Sequence, residues 1–316
     1  MSGVVVVGSL NLDHVISVCQ LPVPGQTVAG RGYLAVPGGK GLNQAVTAAR
    51  QGVPVAMVGC VGEDAEGQLL KKVLSVEGVD TTRLRTAGGV PSGTALVTVA
   101  AGGANTVVVA AGANGELGSQ DVQGASELFR QAGALLVQLE VPLSAVRAAL
   151  GAARACGTTT VLNPAPVDGP LSGDVLSLVD VLVPNETEAL ALSGRADPHQ
   201  AAAWLLSQGC GCVLVTLGAQ GALLAGKCRR PVSLPAYDVE AIDTTAAGDA
   251  FCGALAAALA AGDDVLPAAR RAGAAGALAT TVMGAFPSLP RAADVDRLLA
   301  AQQSRHELHD AAPGVP

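Results

Sequence analysis

Short runs of β-branched residues alternate with helical patterns along most of this 316-residue chain, and that rhythm narrows its fold more than any other feature. Val4-Val5-Val6-Val7 has no polar interruption, which marks a strand covered on both faces. Helical spacing at 41–51 is followed by an apolar strand pattern at 53–61. Helical stretches at 65–76, 120–131 and 143–155 then alternate with strand patterns at 134–138 and 158–162. The alternation runs on through 180–183, 186–192, 199–207 and 212–216. It predicts an α/β fold with a mostly parallel sheet and helices on both faces. A chain of this length can bury one large core, with or without a small appendage.

Two segments break the rhythm. Residues 92–110 read as strand, turn, strand, and 14–34 is poor in helix signals and rich in Val, Pro and Gly. They are expected to pair as a small second sheet (14–34 with 91–109), apart from a main domain of 1–13, 35–90 and 110–302. The polar tail 303–316 is expected to be flexible. Its His306 and His309 stand at helical spacing without a third ligand, so they read as solvated.

Composition removes several classes of function. Net charge is −7 with no basic block, against nucleic-acid binding. No run has the length and polarity of a membrane span, and the N-terminus lacks the marks of a signal peptide. Seven scattered cysteines form neither a disulfide framework nor a zinc pattern, so a reduced cytoplasm is expected.

The chemistry-bearing segment is Asp243-Thr244-Thr245-Ala246-Ala247-Gly248-Asp249-Ala250-Phe251, two carboxylates around small residues at the start of an Ala-rich helical stretch. Small residues there let a ligand approach the backbone, and free N–H groups with the helix dipole suit an anion such as a phosphoryl group. Asp249 in the first turn can take a proton from a hydroxyl that attacks phosphorus. Taken alone it is equally an N-cap. No G-x-x-x-x-G-K-[ST] loop occurs, so a phosphate site here has to be built on that helix start.

Further polar motifs are Gly8-Ser9-Leu10-Asn11-Leu12-Asp13, Pro37-Gly38-Gly39-Lys40-Gly41-Leu42-Asn43-Gln44-Ala45, Gln138-Leu139-Glu140, Asn163-Pro164-Ala165-Pro166, Pro184-Asn185-Glu186-Thr187-Glu188 and Thr216-Leu217-Gly218-Ala219-Gln220-Gly221. In this order and spacing, the set resembles the ribokinase family of sugar and nucleoside kinases across most of the chain. The resemblance implies a ribokinase-like three-layer sandwich with a mostly parallel central sheet and a small β-sheet lid, which in many relatives also makes a dimer contact. It implies ATP as co-substrate and Asp249 as general base, with Ala246, Ala247 and Gly248 completing the anion hole. Asn11, Asp13, Gly38, Gly39, Lys40, Asn43 and Glu140 would hold the sugar.

Asn185, Thr216, Leu217, Gly218, Ala219, Gln220, Gly221, Gly248, Asp249 and Gly273 would line the ATP site, with Gly273 where many relatives carry Asn or His. Glu188 would act on Mg²⁺ through water. Its spacing from Asn185 is also that of a helix capping box. Asp243, Thr245, Ala279, Val282, Gly284 and Ser288 would form a K⁺ site. The family often has Gly where Ala246 stands, a change tolerated if φ there is negative.

Before residue 200 the aromatics are Tyr33 and Phe129, too few to hold a purine by stacking. A small sugar is therefore expected, with D-ribose phosphorylated at its 5-hydroxyl as the leading reading. Deoxyribose, fructose or a keto-sugar acid is the alternative within kinases. A non-catalytic sugar or nucleotide sensor is the alternative outside them.

Overall fold

The computed structural model describes residues 2–227 and 229–310. The central sheet contains β1 (Gly3–Val7), β4 (Val55–Gly62), β5 (Asp80–Ala87), β8 (Ala132–Val137), β9 (Thr159–Leu162), β10 (Val181–Leu182), β11 (Cys212–Thr216), β12 (Ala222–Gly226) and β13 (Arg229–Leu234). Their order is β13-β12-β11-β10-β9-β8-β1-β4-β5, parallel from β11 to β5, with β12 and β13 antiparallel at one edge.

The unbroken valine run explains why β1 sits inside the sheet. Val4 and Val6 enter a core shared with helices Lys40–Arg50, Ala247–Ala261 and Val265–Ala279. Val5 and Val7 enter the opposite core, against helices Leu143–Ala155 and Pro198–Ser207. Alternation along a strand thus feeds both layers at once.

The two segments outside the rhythm do form a second sheet, ordered β3-β2-β6-β7. Its strands are β2 (Asn11–Val18), β3 (Gly32–Gly38), β6 (Gly93–Ala100) and β7 (Asn105–Ala110). The β2–β6 pair is parallel and the outer pairs are antiparallel. This sheet takes in more of the chain than 14–34, because pairing runs from Asn11 opposite Gly38 to Ser17 opposite Gly32. The last helix, Ala292–Asp310, includes the start of the expected tail. Residues 311–316 of that tail lie outside the described residues.

Candidate active site

The loop after β1 meets the start of helix Lys40–Arg50. Gly39 caps that helix with φ 87°, and a Cβ there would stand 2.9 Å from the Asn11 amide nitrogen, so only glycine fits. Ser9 Oγ donates to Glu140 Oε2 at 2.5 Å, and the Lys40 amide donates to the same oxygen at 3.0 Å. Glu140 lies three residues beyond the end of β8, not at the strand end itself.

Asn11 and Asp13 lie on β2 of the lid, not at the end of the first core strand as their sequence position suggests. Their spacing still puts both side chains on one face. Asn114, which the sequence reading missed, fixes Asn11. Its Oδ1 accepts from the Leu10 amide at 2.9 Å, and its Nδ2 donates to Leu10 O at 3.1 Å and to Asn11 Oδ1 at 2.8 Å. The Asn11 carboxamide is thereby left with its N–H₂ free for a ligand. Ala-Gly-Ala-Asn at 111–114 carried no signal beyond a loop, since the partner of Asn114 is a hundred residues away.

Asp249 lies in the first turn of helix Ala247–Ala261 and is 8% exposed. Asn43 Nδ2 donates to its Oδ2 and Gln44 Nε2 to its Oδ1, both at 2.9 Å. Lys40 stands among three carboxylates. Burial pushes its ammonium pKa down, but Asp249, Glu140 and Glu188 outweigh that and hold it above its ordinary value. Burial pushes the Asp13 carboxyl up to about 7, with Glu140 and Asp249 adding like-charge repulsion. Asp13 Oδ1 and Asn43 Oδ1 are buried acceptors without a hydrogen-bond partner. Such atoms are costly unless a ligand satisfies them, and sugar hydroxyls are donors of the right kind.

The helix start is strained at one residue. Ala246 has φ 60°, in the left-handed region, so the condition for tolerating its methyl is not met. The Ala247 amide donates to Thr244 O at 3.2 Å and is engaged in that turn. Gly248 and Asp249 follow in the first turn, where N–H groups lack intrahelical partners. Ala246→Gly is expected to raise stability by roughly 1 kcal/mol, read as a higher melting temperature. An unchanged or lower melting point overturns the strain argument.

Two nucleotide motifs also converge. Asn185 Oδ1 accepts from the Glu188 amide and Glu188 Oε2 from the Asn185 amide, both at 2.8 Å, which is the capping box. Asn185 bridges Thr216, which begins the segment to Gly221. A Cβ at Gly273 would stand 3.3 Å from Cε2 of the Tyr237 ring.

Asp243 ties the expected cation loops together. Its Oδ1 accepts from the Thr245 amide at 2.9 Å and Thr245 Oγ1 at 2.6 Å, and its Oδ2 accepts from the Gly284 amide at 2.7 Å. Burial pushes its carboxyl up, but these donors outweigh that and hold it low. Val282 is exposed on the second loop, just beyond Ala279, the last residue of its helix. Ser288 Oγ donates to Ala285 O at 2.8 Å.

A three-layer α/β body, a second sheet that carries half of a largely buried polar cluster, and a carboxylate at a helix start together define a carbohydrate kinase. The chain belongs to that family: a family model described as pfkB family carbohydrate kinase matches residues 1–292. It is 42% identical over 290 residues to a ribokinase of Haemophilus influenzae, covering 90% of this chain and 94% of that protein. It is similar to a solved structure of Arabidopsis thaliana ribokinase complexed with ribose and ATP, at 33% identity and TM-score 0.86, covering 94% of this chain and 98% of that one. A putative ribokinase II from E. coli in complex with ATP and Mg²⁺ matches at 26% identity and TM-score 0.81, covering 95% and 100%.

Proposed function

We propose that this chain transfers the γ-phosphoryl group of ATP to the 5-hydroxyl of D-ribose, giving ADP and D-ribose 5-phosphate. The observation that carries the reading is a polar ring of buried Asn11 and Asn43 and half-buried Asp13 and Glu140 facing Asp249, with two of its acceptors lacking partners. The substrate named for the relatives above agrees with it. Asp249 takes the hydroxyl proton as the sugar oxygen bonds to phosphorus and the bond to ADP breaks. The N–H groups of Gly248 and Asp249 face the transferring phosphoryl, and Lys40 adds positive charge.

Among the described residues no group of three or more His, Cys, Asp or Glu is arranged to hold a metal. One carboxylate suits Mg²⁺, which keeps its waters and binds mostly to phosphates. Burial raises the Glu188 carboxyl above its ordinary range, and a cation beside it would restore the ionised form. Glu188 would hold Mg²⁺ through water, and the ion would neutralise phosphate charge. K⁺ would bind between the loops that Asp243 joins, next to the helix start.

The lid supports a homodimer. Cross-strand pairing places Val15, Leu34, Val36, Val97, Val107 and Val109 on the face that carries Asp13. Leu34, Val107 and Val109 are each more than half exposed, an apolar surface suited to a second lid. Among the described residues no helix is long and apolar enough to cross a membrane. Among the described residues six cysteines are free, which suits a cytoplasmic enzyme.

ADP release from ATP·Mg²⁺ against ribose, 2-deoxyribose, fructose and adenosine, with and without K⁺, tests the whole reading. Preference for ribose with K⁺ stimulation supports it. Preference for another sugar reassigns the pocket, and no turnover favours the sensor.

Asp13 gives the pH dependence. Ribose hydroxyls donate to its ionised form, so binding releases a proton. Affinity for ribose is expected to fall by up to about tenfold per pH unit below about pH 7. Without sugar the linkage favours stability at low pH. It is full below the ordinary carboxylate range and lost as pH rises through about 7, because the native state holds a proton that the unfolded chain has given up. Calorimetric titration with ribose across that range, in buffers of different ionisation enthalpy, reads both affinity and proton release. A flat profile overturns the argument.

A further inference from the structure

The contact between Gln44 and Asp249 belongs to a buried amide chain whose direction is set at one end by backbone. The Val183 carbonyl can only accept, and it takes Asn163 Nδ2 at 3.0 Å. That turns Asn163 Oδ1 toward Gln44, which must offer Nε2, at 3.1 Å. Gln44 Oε1 then points away and accepts from Gln138 Nε2 at 2.6 Å. The remaining hydrogen on Gln44 Nε2 goes to Asp249 Oδ1. Gln44 and Gln138 are fully buried, and Asn163 is 8% exposed. Gln138 and Asn163 each stand one residue past a central parallel strand, β8 and β9.

Asn43 is held by Asp249 alone, since its Nδ2 donates to Oδ2 and its own Oδ1 lacks a partner to anchor the other side. Gln44 cannot turn without setting acceptor against acceptor at Asn163 Oδ1 and at the Asp249 carboxylate, and donor against donor at Gln138. We infer that Gln44, locked by Asn163 and Gln138, is a positioning residue that fixes the rotamer of Asp249, so that the carboxylate's free lone pairs face the acceptor hydroxyl. This inference rests on the reading of Asp249 as the base.

The test uses the full chain with ribose, ATP·Mg²⁺ and K⁺. Gln44→Met keeps the bulk and loses the donor. It is expected to lower kcat about 10- to 100-fold, the scale of a small misplacement of a reacting group, with KM for ribose changed less than about threefold. Gln44→Glu puts a second carboxylate against Asp249, so the acid limb of the kcat/KM profile moves to higher pH by about one unit or more. Gln138→Leu removes the anchor without touching Asp249. It is expected to give a smaller kcat loss in the same direction, and it stands in if Gln44→Met does not fold.

Folded variants with wild-type kcat overturn the inference. So does a loss shared equally between kcat and KM with an unmoved pH profile, which is what mere structural damage gives. A wild-type protein that phosphorylates no sugar overturns the reading of Asp249 instead.

Discussion

Asp249→Asn lowers kcat for sugar phosphorylation by about 10²- to 10⁴-fold, the range general-base catalysis supplies. The protein is expected to stay folded and to keep binding ribose. An amide at 249 can keep its oxygen toward Gln44 Nε2 and turn its nitrogen toward Asn43. Asn43 can meet it by turning over, because its Oδ1 has no partner to lose. The substitution therefore removes the proton acceptor without leaving an unpaired group behind. Steady-state kinetics with calorimetric titration of ribose check it. A kcat within tenfold of wild type overturns the base assignment, and loss of ribose binding in proportion shows a role in recognition instead.

Gly253→Ala is expected to damage stability and turnover together. A Cβ at 253 would stand 2.6 Å from Gln44 O and 2.6 Å from Thr47 Cβ, in the helix that supplies the donors to Asp249. Alanine in mid-helix gains up to about 1 kcal/mol over glycine, but the backbone clash cannot be relieved by rotating a side chain. Overpacking costs about 1–3 kcal/mol, so the net effect is a loss. Relief requires the two helices to part. Asp249 lies one turn before the contact and Gln44 is at it, so the carboxylate is drawn away from its donors. We expect a lower melting temperature and more than tenfold loss of kcat. An unchanged melting point, or full activity with a lower one, separates packing from catalysis and overturns the coupling.

Where apolar period and length agreed, the fold was legible. Helices Ala65–Val76 and Leu143–Ala155 and strand β11 lie at the residues their patterns marked. Strand β5, Asp-Thr-Thr-Arg-Leu-Arg-Thr-Ala, was not legible. It is an edge strand with buried apolar contacts at Leu84 and Ala87, so it shows neither the alternation nor the apolar run of its neighbours. The stretch 120–131, one helix by its pattern, is two short ones that meet at Ala125.

In the site, residues within motifs were legible as candidates. What sequence could not give was the partner of each. Gln44 and Asn163 lie 119 positions apart, and Asn11 and Asn114 lie 103 apart. Their roles exist only after the sheet has brought strand ends together. The sign of φ at Ala246 was likewise a tertiary outcome, since alanine carries no local preference for the left-handed region.

The lid has a consequence for drug-like intervention and for timing. Strand β2 begins at Asn11, directly after the core loop, and also carries Asp13. On the proposed reading the cover is thus half of the receptor itself, not a shutter over a finished pocket. On that reading, a wedge that keeps β2 away from the core would disable sugar recognition without competing at the helix start of Ala247–Ala261. On the same reading the dwell time of the sugar follows how firmly the start of β2 is held, and Asn114 ties it to the loop after β7 through Leu10 and Asn11.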